Sequence, residues 1–286
     1  MTSEVRSGAN QARYPGSVPA VLAPQPFAGL LREWRLARRL TQQVLAEEAE
    51  ISTRHLSFLE TGRARPSREM VLILASVLEL PLRDRNGLLH AAGFAPVYAE
   101  TPLDAAPMEH VRKALDRILA QQEPYPAIVL DRGWNLLRAN AGATRLFARL
   151  LADRPQALAR LGNVAHAVFD PDGLRPAIVN WDTTAAALAE RLHREAAADP
   201  SPDGARALRE AVLAYPGVPA KLRVPSFVEA PPIAIAVHVR APDGGEARLF
   251  TMLTSLGTPL DVTADELRIE LYFPSDDASE AFLREG

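Results

Sequence analysis

Cysteine is absent from the 286 residues. Disulfides, thiolate-bound zinc and iron–sulfur centres are therefore excluded, and packing and polar contacts must hold the fold. Lysine is nearly absent too: Lys113 and Lys221 are its two occurrences, so arginine carries almost all the positive charge. No run of about 18 apolar residues exists, which excludes a membrane-spanning helix. The N-terminal stretch MTSEVRSGAN lacks the apolar segment of a secretory signal. These absences predict a cytoplasmic protein with no membrane insertion. GxSxG, P-loop, GxGxxG and HExxH patterns are also missing. The histidines (His55, His90, His110, His166, His193, His238) are scattered, with no pair at the spacing of a helix-borne metal site. No enzyme, metal or cofactor is expected.

What is present suits a globular chain of two domains, 48% hydrophobic with mean hydropathy −0.06. The net charge of −3 argues against a nucleic-acid partner until its distribution is examined. Phe27 to His90 holds ten Arg against seven Glu and one Asp, a small positive excess, whereas the chain beyond Ala91 is acidic. Arg54, Arg63, Arg65 and Arg68 cluster within that positive segment, an electrostatic footprint for phosphates, although solvated helix faces are also commonly Arg-rich. Composition divides the chain into a disordered arm (1–26), a helical domain (27–97), a linker (98–107) and an α+β domain (108–286).

The helical domain reads as five short helices. Phe27, Leu30, Leu31 and Trp34 form one apolar stripe. Thr41, Ser52 and Ser67 are N-caps for the second, third and fourth helices. Leu45, Ala46 and Ala49 face inward on the second, Leu56 and Leu59 on the third, and Met70, Ile73, Leu74 and Val77 on the fourth. Gly62 ends the third helix, Pro81 stops the fourth, and Leu88, Leu89 and Ala92 mark a fifth. Two short helices joined by about four residues make a helix-turn-helix, whose second member enters the DNA major groove.

In the larger domain, Pro126 to Asn140 reads as a β-hairpin turning at Asp131-Arg132-Gly133, with Trp134, Leu136 and Leu137 on the return strand. Asn140 can cap the next helix, whose apolar face is Leu146, Phe147, Leu150 and Leu151. Helices follow at 181–197 and 205–215. Ile233, Ile235, Val237 and Val239 then share one strand face, with further strands at 249–255 and 267–273 and a closing helix at 276–283. This order is that of a PAS-like sensor fold. His238 points away from the valines on its strand, as a surface or hydrogen-bonded histidine would. Asp170 and Asp172 read as turn formers, and Trp134 and Trp181 fit either core or pocket. Arg175 could receive a ligand carboxylate or pair with Asp172.

Leu40-Thr41-Gln42, Leu45-Ala46, Ile51-Ser52 and Leu59-Glu60-Thr61-Gly62 resemble the phage-repressor (Xre/Cro, lambda-repressor-like) helix-turn-helix. Glu50 departs from that pattern, standing where the family usually has a turn glycine, so an altered turn is expected. The resemblance extends through RHLSFLE, RARPSREM, PYP with Trp134 and Asn140, PDGLRPAIVNW and FTMLTSLGTPLDVTADELRIE to the MmyB-like regulators. It implies double-stranded DNA as partner, with Gln42 on a phosphate, Thr53, Arg54, His55 and Ser57 toward base edges, and Arg63, Arg65 and Arg68 on the backbone. Phe58 fits core or interface equally. The resemblance further implies a homodimer and a PAS-like domain binding a fatty-acid-like ligand. Trp134, Asn140, Phe147, Arg175, Trp181 and His238 are the candidates to line that site. The alternative is an adaptor whose C-terminal domain binds a partner protein.

Overall fold

Three hydroxyl side chains punctuate the first third of the chain. Thr41, Ser52 and Ser67 each accept a hydrogen bond at 3.1 Å from the backbone N–H three residues on, at Val44, His55 and Met70. Each therefore starts a helix by satisfying a free N–H: α2 (Gln42–Glu48), α3 (Thr53–Glu60) and α4 (Arg68–Val77). With α1 (Phe27–Ala37) and α5 (Leu82–Ala91) they give the expected five helices. The computed structural model describes residues 26–199, 204–225 and 236–285. The arm expected at residues 1–26 lies, apart from Pro26, outside the described residues.

The helix ends repeat one device. Arg39, Glu50 and Glu79 have φ of 57°, 54° and 50°. After α2, the Glu50 N–H donates to the Glu47 carbonyl and the Ile51 N–H to that of Ala46. The same double bond closes α1 at Arg39 and Leu40, and α4 at Glu79 and Leu80. This is the Schellman arrangement, normally built on glycine. The turn at Glu50 thus keeps its left-handed form despite the missing glycine, at a cost of about 1–2 kcal/mol. Leu31, Leu45, Leu56, Leu59, Val71, Leu74, Leu88 and Leu89 are wholly buried beneath these turns. One inward assignment on α4 needs correcting. Ile73 is 37% exposed, and Val71, Leu74 and Ala75 form the buried stripe. VLILASV is apolar on every side, so its sequence does not set the helix's rotation.

Within this core lies a charged pair. Arg35 of α1 donates to both carboxylate oxygens of Glu60 at 2.6 and 2.9 Å. Gln42 of α2 adds a bond at 2.8 Å to the same carboxylate, which lies on α3. Three helices therefore meet at one carboxyl group.

The second domain is built on a five-stranded antiparallel sheet in the order β2-β1-β5-β4-β3, the α+β, PAS-like architecture expected. After α6 (Glu109–Gln121), β1 (Ala127–Leu130) and β2 (Leu136–Ala139) form the hairpin. The chain then leaves the sheet through α7 (Ala141–Leu150), α8 (Val164–Phe169), α9 (Trp181–Ala198) and α10 (Ala205–Leu213). It returns by β3 (Ala236–Arg240) and β4 (Glu246–Thr254), crosses the short α11 (Val262–Glu266), places β5 (Arg268–Pro274) between β1 and β4, and ends in α12 (Asp277–Glu285). Ile233 and Ile235, expected on the strand that became β3, lie outside the described residues. Trp134, expected on the return strand, instead sits in the turn with φ 64°.

Both faces of the sheet are covered. Ile128, Leu130, Leu249 and Val239 pack against Leu146, Phe147 and Leu192 on one side. Ala127, Val129 and Ile269 pack on the other against Leu115 and Leu119 of α6, which the sequence reading did not place. The two domains touch. The Leu82 N–H donates to Asp265 at 3.0 Å, and Arg83 pairs with Glu266 at 2.6 Å and Glu100 at 2.5 Å. The segment expected as a linker runs along this contact, with the Thr101 N–H on Asp261 and Asn86 clamping the backbone of Tyr98.

The charged pair in the helical core gives a test. Burial pushes the Glu60 carboxyl up, but the hydrogen bonds from Arg35 and Gln42 outweigh it and hold the group below its ordinary value. A depressed carboxyl stabilises the fold above its unfolded value, near 4.5, and that contribution is lost as pH falls through the folded value. Glu60→Gln, which leaves Arg35 buried without its counter-charge, should cost about 3–5 kcal/mol at neutral pH. Urea unfolding across pH 3–7 should also show a shallower acid-side loss in the variant. Equal stability of the two proteins at pH 7 would refute the role given to this pair.

Candidate functional site

Two places on the molecule carry groups that its own structure leaves unused. The first is α3 and the loop after it. Thr53 and Arg54 are exposed on the first turn of α3, with His55 and Ser57 half-buried beside them. Gly62, at φ 70°, turns the chain, and the N–H groups of Arg63 and Ala64 both donate back to the Phe58 carbonyl. This fold-back sets Arg63 and Arg65 beside the end of α3, and Arg68 opens α4. All three are exposed.

The arginines of this domain divide by partner. Arg35 is held by Glu60, Arg38 by the carbonyls of Leu78 and Glu79, and Arg83 by two carboxylates. Arg54, Arg63, Arg65 and Arg68 have no carboxylate partner among the described residues. Arg54 lies over the ring of Phe58, 5.3 Å from its centroid, so Phe58 is a half-buried platform for that guanidinium. Four uncompensated guanidinium groups along one helix and its loop form a surface suited to a polyanion. Gln42 departs from expectation. Its amide turns inward to Glu60, because a buried carboxylate attracts a nearby donor more strongly than solvent does.

The second place is a cavity of about 180 Å³ between the inner face of the sheet and helices α7, α8 and α9. Leu146, Phe147 and Leu150 form its α7 wall, Val164 and Val168 its α8 wall, and Val237, Val239 and Leu249 its floor. Thr184, Ala187, Leu188, Arg191 and Arg194 of α9 complete it. These recur at helical spacing, so the cavity follows one stripe of α9. At 1.5 Å per residue that stripe runs about 15 Å, from buried Thr184 to exposed Arg194.

One part of the wall is polar. Arg191 bonds Glu270, bonds Glu195 at 2.9 Å, and lies 4.0 Å from the ring centroid of Trp134. The Trp134 indole donates to Glu195 at 2.8 Å, and the Tyr272 hydroxyl to Glu270 at 3.3 Å. Burial works against charge on Arg191, but the two carboxylates outweigh it and keep the guanidinium protonated. Burial also raises the Tyr272 phenol well above its ordinary value, so it stays a neutral donor. The positive charge of Arg191 is thus already matched. Arg194 has no carboxylate partner among the described residues.

Of the residues expected around a ligand, the structure brings Trp134 and Phe147 together on the cavity wall. The other four lie outside the lining. Asn140 caps α7, accepting from Ala143 and Ala127 and donating to Tyr125 and Leu119, so its amide is fully used by backbone. Arg175 donates to the carbonyls of Pro216 and Gly217 and stacks on Trp181, while Asp172 pairs with Arg160 instead. Trp181 meets Phe169 edge to face, and His238 bonds Glu246 on the far side of β3. Sequence reasoning missed Thr184, Arg191, Arg194, Glu270 and Tyr272. The alternation of Glu270 and Tyr272 along β5 was the available signal.

Two family models match the chain. Residues 111–285 match the family described as MmyB-like transcription regulator ligand binding domain. The chain belongs to that family. Residues 26–88 of the regulator match a helix-turn-helix domain. No curated protein matches the MmyB-like chain. A solved structure described as an RNA-binding light-oxygen-voltage receptor is similar over 90% of this chain and 61% of its own length, at 13% identity and a TM-score of 0.27. The chain thus joins a helix-turn-helix domain to an MmyB-like ligand-binding domain.

Mutation of the regulator's surface arginines should separate two kinds of contact. Arg54→Ala should relax selectivity at one base-pair position, at a cost of about 1–3 kcal/mol. Arg63→Ala should weaken every sequence alike and lower the salt slope by about one. Anisotropy titrations on matched and single-mismatch duplexes distinguish these, and identical losses on all duplexes would show that Arg54 reads no base.

Proposed function

We propose that this chain is a homodimeric, sequence-specific DNA-binding regulator whose cavity senses a small apolar molecule bearing one negative charge, a fatty acid being the simplest example. The observation that carries this reading is the slot along α9, apolar over most of its wall and ending at Arg194. Each methylene removed from water into such a slot contributes about 0.8 kcal/mol. An anionic headgroup at the exposed end would meet Arg194, since Arg191 is occupied by Glu270 and Glu195.

Enclosure favours a small molecule over a protein partner. A stable protein contact needs about 800 Å² on each side, presented as open surface, whereas the groups gathered here face an interior space of about 180 Å³. For DNA, two copies on a two-fold site would place two α3 helices in successive major grooves about 34 Å apart. A chain acting on both DNA and a metabolite would work in the cytoplasm.

Titration of the intact protein with decanoate and with 1-decanol tests the ligand. Decanoate should raise the melting temperature, and Arg194→Ala should weaken decanoate about tenfold or more, as loss of a charge-assisted hydrogen bond does. Binding of uncharged decanol should be unaffected by the same substitution. If no medium- or long-chain acid stabilises the protein, the cavity is plain core and the partner-protein reading takes its place. Binding to an operator enriched from random duplexes should fall steeply with salt, with two protected half-sites in a footprint.

A further inference from the structure

We propose that Arg132 is the coupling residue of this regulator, a clasp through which occupancy of the cavity reaches the DNA-binding domain. The inference rests on the sensing function proposed above and names its route. Arg132 lies in the β1–β2 turn, two positions before Trp134 of the cavity wall. One guanidinium nitrogen meets Asp84 of α5 at 2.9 Å, and the other meets Asp199, just past the end of α9, also at 2.9 Å. A single side chain thus joins three elements: the turn bearing one cavity wall, the helix bearing another, and a helix of the DNA-binding domain.

Both sides of the clasp are mechanically tied to the cavity. Trp134 is stacked under Arg191 and bonded to Glu195, both on α9, so a ligand that moves the Arg191 stripe moves turn and helix together. The end of α9 is gripped once more, by Arg38 of α1, which donates to the Ala198 carbonyl at 3.3 Å. On the receiving side, Leu88 and Leu89 of α5 share a core with Leu56 and Leu59 of α3, the helix that carries Thr53 and Arg54. A shift of α5 is therefore felt by the recognition helix through close packing.

The clasp is also poised. Arg132 bridges two carboxylates whose side chains are 12% and 3% exposed, and Asp199 also accepts from the Ala205 N–H at 3.3 Å. Burial, reinforced by the nearby charge of Asp199, raises the Asp84 carboxyl above its ordinary value despite the adjacent Arg132. Beside it opens a cleft between the domains, lined by Arg83, Asp84, Arg132, Asp199 and Leu208, which gives the contact room to change. The Arg83 and Asp265 contacts lie at the start of α5, one turn or less from Asp84, and would act as the pivot about which it moves.

A double-mutant cycle on the intact protein tests the clasp without depending on a particular ligand. Ala187→Phe places a ring into the cavity as a built-in occupant, and the readout is affinity for a duplex enriched with the wild-type protein. Ala187→Phe should change that affinity by about five-fold or more, in either direction, the lower end of ordinary allosteric coupling. In an Arg132→Ala background the same substitution should change it by less than two-fold. Asp84→Ala, which removes the acceptor on the DNA-domain side alone, should give the same loss and serves if Arg132→Ala does not fold. A full Ala187→Phe effect surviving in the clasp variants would overturn Arg132 as the route while leaving a coupled cavity intact. No effect in the wild-type background would overturn the clasp too. Decanoate stabilisation then tells the two failures apart: its presence leaves a ligand site without this route, and its absence removes the sensing function itself.

Discussion

Arg35 reaches Glu60 where water does not, and a guanidinium removed from water needs a counter-charge or a set of carbonyls beside it. In a chain with almost no lysine and no cysteine, this constraint organises much of the molecule. Arg35 with Glu60 and Gln42 fixes α1, α2 and α3 to one another. Arg160 holds the buried Asp170 and the more exposed Asp172, Arg191 binds Glu270, and Arg132 spans Asp84 and Asp199. These pairs leave other arginines without a carboxylate among the described residues, Arg32, Arg39 and Arg117 included. Arg54, Arg63, Arg65 and Arg68 on one domain, and Arg194 on the other, are cations for which the fold supplies no carboxylate among the described residues. A site that binds an anion must keep such a charge unspent, and both candidate sites do.

The cavity follows from how the sheet is roofed. α9 presents Thr184, Ala187 and Leu188 to a floor of Val237, Val239 and Leu249, and small side chains on a helix cannot fill the space that a row of leucines would. A pocket of about 180 Å³ with mainly apolar walls is large enough for a small apolar molecule, since about 150 Å³ suffices to bind benzene in a protein core. Each methylene buried there contributes about 0.8 kcal/mol, so apolar area supplies most of the free energy such binding would need.

Legibility in the sequence followed the range of the interactions. The caps at Thr41, Ser52 and Ser67 act over three residues, and they marked the helix starts without any tertiary knowledge. The hairpin at Asp131–Gly133 and the strand pattern of the second domain were legible for the same reason. The rotation of α4 was not, since apolar residues on every side leave it to packing, which chose Val71 over Ile73. The helix at Glu109–Gln121 has an apolar stripe of Val111, Leu115, Ile118 and Leu119, but its many charged residues masked the stripe and no element was expected there. Asn140, Arg175 and His238 attracted attention by their chemistry, yet backbone carbonyls, backbone N–H groups and Glu246 already satisfy them. The polar wall of the cavity depends on β5 lying between β1 and β4 and on α9 crossing above. No local pattern specifies that arrangement.

The contact between the domains is made by polar groups of differing exposure. Arg83 and Glu100 are 44% and 57% exposed, and pairs of that kind contribute about 0–1 kcal/mol each. No apolar core cluster spans the boundary among the described residues: the helical core is closed within residues 27–94, and the two clusters of the second domain begin at Leu103. Polar interfaces of this type permit relative motion of the domains they join. A ligand needs only about 1–3 kcal/mol of preference between two arrangements to change DNA affinity 5- to 150-fold. A hydrophobic seam between the domains would resist such a bias, whereas an exposed pair such as Arg83–Glu100 sits within its reach.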